Sequence, residues 1–369
     1  MVNKMIVANV LHRPVRTLVS VLAVAIEVVM VLLVVSLTTG MLNEAAKRVE
    51  GVGADIMVQP PNSSFLLGVT TAPMPIKIGD RIKELDHVQY VAPVLLWFDT
   101  DISTGLNVVY GIDMKTFDEV SGGFIYYSGG PLQHPYDILV DDWYARSHHL
   151  KVGDTLKLLN HAFTVAGIVE HGKGSRLFIP ITTAQEMLGA VDRASIFFVK
   201  CTGPGYTKAV LKSIDKLLVG YKVLSIKEYM SMMTSNNIPE LGAFVNVMIA
   251  IAVGIGFLVI FLSMYTTITE RTREIGILKS LGASKVYIIN LILKEAGTLS
   301  IAGIIVGLIG VVVLERFISM SMPTVALEPL HAAWVARAAC LAIGGALVGA
   351  LYPALRASRL DPVDALGYE

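Results

Sequence analysis

The sequence predicts a membrane protein with four transmembrane helices and a large α+β extracytoplasmic domain inserted between helices 1 and 2. Three observations carry that prediction. Four stretches, 18–40, 241–267, 288–314 and 332–353, are long and apolar enough to cross a hydrocarbon core of about 30 Å at about 1.5 Å per residue. Residues 41–240, of ordinary polarity, separate the first of these from the second. The whole chain is 54% hydrophobic with a mean hydropathy of +0.63, too apolar for a soluble protein, while its 369 residues exceed what a four-helix bundle needs. Its net charge is zero, which argues against a nucleic-acid partner.

Residues 1–17 carry Lys4, Arg13 and Arg16 among Met5, Ile6, Val7, Val10 and Leu11. This reads as a cytoplasmic amphipathic segment, broken by Pro14. The apolar run 18–40 is longer than a signal-peptide core and no small-residue cleavage site follows it, so it is helix 1. Basic residues before it set the N-terminus inside and the following domain outside. Glu27 lies near the middle of this span, where a carboxylate costs roughly 2.5–3.5 kcal/mol. It must be protonated, paired or facing a wet cavity. Two roles stay open for it: a site that senses substrate or proton, or a hydrogen bond that fixes helix packing.

Domain 41–240 opens as strand, helix, strand, strand over 54–59, 78–85, 89–98 and 106–112. It closes as strand, helix, strand over 195–201, 206–218 and 221–226. Short strands at 137–140, 155–159, 163–170 and 177–180 lie between. The pattern is an α/β unit made of two separated halves, with a β-rich lobe at about 131–190 inserted. The Pro/Ser/Gly-rich stretch 60–75 reads as a mobile loop. His134, His148, His149, His161 and His171, with Asp141 and Asp142, match no metal-ligand spacing, so no metal site or catalytic residue is expected. Gly172-Lys173-Gly174-Ser175 lacks the residue order of a phosphate loop. Cys201 and Cys340 fall in the soluble region and in a span, so no disulfide is expected.

Helix 2 (241–267) runs into the charged segment 268–287. Here Glu270, Arg271, Arg273, Glu274 and Lys279 surround Ile275, Leu278 and Leu281 at helical spacing, with Gly276 and Gly282 as small or turn-forming positions. The basic residues place the segment on the cytoplasmic side. It reads either as a short amphipathic helix at the inner surface or as a solvated turn. Helix 3 (288–314) begins below the surface: Lys294 snorkels to the headgroups, and Glu295 pairs with Lys294 or with the charged segment. Gly303, Gly307 and Gly310, and Gly345 and Gly349 in helix 4 (332–353), make small-residue faces for close helix packing. A short outer loop, 315–331, joins the two helices. The tail 354–369 brings Arg356 and Arg359 back inside, so both termini are cytoplasmic.

Three of these stretches resemble one family. The run ERTREIGILKSLGAS (270–284), the closing PALRASRLDPVDAL (353–366) and the opening NVLHRPVRTL (9–18) are similar, in order and position, to motifs of FtsX and MacB superfamily permeases. The resemblance implies a permease subunit of an ATP-driven ABC exporter or extractor of the mechanotransmission type. It implies a bacterial inner-membrane location, membrane lipid around it, and an outer domain with a porter-like base and a sabre-like lobe. It further implies that 268–287 is a coupling helix. Glu270, Arg271, Arg273, Glu274, Ile275, Gly276, Leu278, Lys279, Leu281 and Gly282 would then serve contact with a separate ABC ATPase. No cofactor is expected on this chain, since ATP and Mg belong to that ATPase. A second permease copy, as a homodimer, is the other expected partner, and a periplasmic adaptor is left open. The alternative is an FtsX-like transmembrane regulator of a cell-wall hydrolase.

Overall fold

The computed structural model describes residues 14–61, 63, 73–101, 105–233, 238–322 and 324–361. The expected amphipathic segment before residue 14 and most of the expected loop 60–75 therefore lie outside the described residues. The chain opens with helix α1 (Pro14–Gly51), then β1 (Ile56–Gln59), β2 (Met74–Pro75), α2 (Lys77–Lys83), β3 (Val88–Asp101), β4 (Gly105–Ile112) and α3 (Met114–Ser121). Next come β5 (Tyr126–Gly129), β6 (Asp137–Asp141), α4 (Asp142–Ser147), β7 (Thr155–Leu158), β8 (His161–Val169), β9 (Leu177–Pro180) and α5 (Ile181–Met187). They are followed by β10 (Arg193–Ala194), β11 (Ile196–Cys201), α6 (Thr207–Leu217), β12 (Lys222–Ser225) and α7 (Ile226–Met232). The chain then turns helical: α8 (Pro239–Glu270), α9 (Thr272–Ser280), α10 (Lys285–Ser321) and α11 (Ala332–Ser358). Two compact units result, Met1–Gly40 with Pro239–Ser321 and Leu327–Glu369, and Met41–Ile238 with Met322–Ala326.

Among the described residues, α1, α8, α10 and α11 are the helices long and apolar enough to span a membrane. Their shared core includes Val24, Val28, Leu32, Ile260, Ile292, Ala342 and Ala346. The predicted glycine faces bring helices together. A Cβ on Gly303 would come 2.5 Å from Val24 Cβ, and one on Gly307 would come 2.9 Å from Val28 Cβ, so α1 lies almost on the backbone of α10. Ser20 and Ser263 hydroxyls, both buried, meet at 2.6 Å between α1 and α8.

The second unit is built on one sheet in the order β12-β1-β11-β3-β4-β9-β6-β8-β5, with β7 on β8. Two hydrophobic cores flank it. One gathers Ile56, Val58, Ile82, Phe197, Val199, Val210 and Ile214, so the two separated halves of the domain do share a core. The other gathers Ile138, Val140, Phe163 and Leu177 of the inserted lobe with Trp97 of β3 and Val109 of β4. The lobes are joined by β3, whose 14 residues give Val91 to the first core and Leu95 and Trp97 to the second. Three short helices, α3, α4 and α5, occupy stretches whose sequence shows only strands or loops. At 6–8 residues they are too short for a 3.6-residue periodicity to stand out. Aspartate caps begin the first two: Asp113 Oδ2 accepts from Thr116 N at 3.0 Å, and Asp141 Oδ1 from Tyr144 N at 2.6 Å.

Candidate functional site

The charged segment is a helix, not a solvated turn. α8 ends at Glu270, and Arg271, at φ −110° and ψ 18°, breaks the helical run before α9 starts. The other end is closed by Gly282, at φ +94°. Its N–H donates to Lys279 O at 3.0 Å, while Ala283 N–H reaches back to Leu278 O at 3.0 Å. This paired closure needs a left-handed residue, which glycine adopts without a Cβ clash.

Polar contacts tie this segment to each of the other membrane helices. Glu270 pairs with Arg16 of α1, whose Nη1 also donates to Thr267 Oγ1 at 3.1 Å. Arg271 holds two carboxylates, Glu274 at 2.7 Å and Glu295 of α10 at 3.5 Å. Lys279 Nζ donates to Ser358 O at 3.0 Å and to Leu360 O, satisfying carbonyls at the C-terminal end of α11. Ile275 and Leu278 seat the helix in the bundle core, beside buried Gly276.

The sequence-predicted residues divide between two tasks. Arg271, Ile275, Gly276, Leu278 and Lys279 face the bundle or its ends, and Gly282 shapes the turn. Leu281, expected to share a seating face with Ile275 and Leu278, instead points away and is 80% exposed. It continues an outward stripe with Arg273 and Ile277, the latter 43% exposed, at spacings of four residues. Ile277 is absent from the residues that the sequence singles out, although its i, i+4 relation to Arg273 and Leu281 is a signal that could have found it. Glu274 also stays largely solvent-facing, at 61% side-chain exposure. Glu295 pairs with Arg271 of the charged segment, one of the two pairings expected of it.

Glu27 is 3% exposed in α1, and its Oε1 has no hydrogen-bond partner among the described residues. A slot without side chains receives it. A Cβ on Gly256 of α8 would lie 1.9 Å from Glu27 Oε2, and one on Gly345 of α11 would lie 3.9 Å from Oε1. Three helices thus meet around one carboxyl group.

In the second unit the histidines go to separate partners. His171 pairs with Asp142 at 2.9 Å and stacks on Trp143, His148 stacks on Tyr144, and His161 on Tyr136. The loop Gly172-Lys173-Gly174-Ser175 is a joint for the end of α1. Gly174 N donates to Arg48 O at 2.7 Å, and a Cβ on Gly51 would meet Gly172 O at 1.9 Å. Lys173 is committed to two carbonyls, Ser121 O at 2.8 Å and Gly123 O. Burial pulls the Lys173 ammonium below its usual range, and the nearby Asp118 and Glu170 carboxylates partly restore it.

The model of the MacB-like periplasmic core domain matches residues 17–217, and that of the FtsX-like permease C-terminal domain matches 246–362. The uncharacterized ABC transporter permease MJ1507 of Methanocaldococcus jannaschii is 23% identical over 97% of this chain and 95% of its own length. The uncharacterized ABC transporter permease YvrN of Bacillus subtilis (strain 168) is 37% identical over 29% of this chain and 25% of its own. The macrolide export ATP-binding/permease protein MacB of Neisseria gonorrhoeae is 22% identical over 99% of this chain. The chain spans only 60% of that relative's length. With four membrane-spanning helices, a MacB-like domain between the first and second, and an FtsX-like C-terminal half, the chain belongs to the FtsX/MacB superfamily of ABC transporter permeases.

Proposed function

We propose that this permease is the non-catalytic membrane subunit of an ATP-driven exporter or extractor. A separate ABC ATPase docks on α9, and its motion is passed through the spans to the outer domain, which handles an amphiphilic or periplasmic cargo. The observation that carries this reading is the division of labour on α9. It is clasped to the membrane helices by Glu270 and Arg271 just before its start and by Lys279 near its end, while Arg273, Ile277 and Leu281 face outward. A helix held this way is suited to receive a push and share it. The distribution of Lys and Arg supports placing α9 and both termini on the cytoplasmic side of the inner membrane. Two permease copies, one for each ATPase, complete the assembly. The MacB-like core domain supports export over control of a cell-wall hydrolase.

The test is co-purification with the cognate ATPase. Ile277→Asp with Leu281→Asp puts two charges where a docking groove would be apolar, and is expected to abolish the complex without unfolding the bundle. Retention of the complex by that variant would refute the assignment of the docking face.

A further inference from the structure

The second unit contains a cleft of about 210 Å³ beside the end of α1, lined by Glu44, Arg48, Asn107, His148, Arg176 and Ala326 among others. The Arg48 and Arg176 guanidinium groups share a single carboxylate, Glu44, at 3.0 and 3.3 Å. Arg176 Nη2 also donates to Thr324 O at 2.8 Å, but its Nη1 is buried without a hydrogen-bond partner among the described residues. Burial pulls the Arg176 guanidinium below its usual range, and the charge of Arg48 adds to this against the opposing pull of Glu44 and Asp141. Asp141 makes no ion pair with either arginine: its Oδ1 accepts from the Tyr144 N–H, and its Oδ2 has no hydrogen-bond partner among the described residues. An unpaired N–H on a buried cation costs free energy. Cavities with a few convergent polar groups are the places where small ligands bind.

We propose that this cleft binds a phosphate group, free or on a lipid headgroup, through Arg176 and Arg48. Guanidinium forks match such oxygens geometrically as well as by charge. Bound there, the anion supplies the acceptor that Arg176 Nη1 lacks. It would sit among the α1 extension, through Glu44 and Arg48, and the 322–326 loop, through Thr324. The site goes beyond the transport reading, because occupancy requires neither an ATPase nor turnover.

The experiment is calorimetric titration of the full chain, without ATPase, in nanodiscs of zwitterionic lipid. Inorganic phosphate and dihexanoyl phosphatidic acid are the probes. Saturable binding of phosphate identifies a free-anion site, and saturable binding of phosphatidic acid alone identifies a lipid-headgroup site. Arg176→Gln removes the key donor. Ala326→Phe fills the cleft while leaving every ion pair in place. Both are expected to weaken binding at least tenfold, with Lys212→Gln on the exposed face of α6 as an unchanged control. Absence of saturable binding by either probe overturns the proposal, and so does binding that both cleft variants leave intact.

Discussion

Arg271 lies at the break between α8 and α9 and reaches Glu295 of α10 at 3.5 Å while also holding Glu274 at 2.7 Å. Both members of the α10 pair are largely withdrawn from solvent, at 13% and 10% side-chain exposure. A largely buried pair of this kind matters mainly through what its loss leaves behind: removing Glu295 strands a guanidinium with one carboxylate instead of two. We expect Glu295→Ala to destabilise the bundle by about 1–3 kcal/mol. In a cycle with Arg271→Ala, the double variant should lose less than the sum of the singles. Additive losses in thermal unfolding of the detergent-solubilised chain would show that the contact is incidental.

Gly282 closes α9 at φ +94°. Gly282→Ala forces a Cβ into the left-handed region, at a cost of about 1–2 kcal/mol. The loss should be local, appearing as faster hydrogen exchange for the last turn of α9 with the spans unchanged. Asn, which tolerates this conformation better, should give a smaller effect.

The slot around Glu27 makes a prediction about sign. Gly256→Ala alone places a methyl group 1.9 Å from Glu27 Oε2, and overpacking of this kind costs about 1–3 kcal/mol. In a Glu27→Ala background the same change should cost almost nothing. If Gly256→Ala is equally harmful in both backgrounds, the carboxyl is not what the glycine accommodates.

Asp141 gives a pH dependence. Burial pushes its carboxyl up to about 6 from an ordinary 3.8, against the opposing N–H of Tyr144 and the charges of Arg176 and Arg48. A raised carboxyl favours the folded state while neutral. Its contribution is complete below about pH 4 and is lost as pH rises through 6. Asp141→Asn keeps an oxygen to cap α4 and removes the ionisation. It should stabilise the second unit by about 1–3 kcal/mol at pH 7.5 and by little at pH 4. Equal effects at both pH values, in denaturant unfolding followed by tryptophan fluorescence, would contradict this.

The membrane helices were legible because a span has one strong requirement, an apolar length, and Leu18–Gly40 or Leu241–Thr267 meets it without help from tertiary structure. The separated halves of the outer domain were legible for a related reason, since β1 and β11 are apolar runs bounded by turns. What escaped was set by partners distant in sequence. Nothing local tells Leu281 to face out while Leu278 faces in, because that depends on where α8 ends and α10 begins. Nothing near Val88 announces that one long strand will serve two cores. Arg16 reads as a topological signal, yet it also grips Glu270, 254 residues away.

If motion received at α9 reaches the outer domain, the distance between the outer domains of two permease copies changes with the nucleotide state. Spin labels at the exposed Ser213 of α6 on two permease copies, in complex with the ATPase, give that distance by pulsed electron resonance. We expect it to change by several ångströms between nucleotide-free and ATP-trapped states. Ile277→Asp with Leu281→Asp should abolish the change. An unchanged distance in a complex that hydrolyses ATP and moves its cargo would contradict the account.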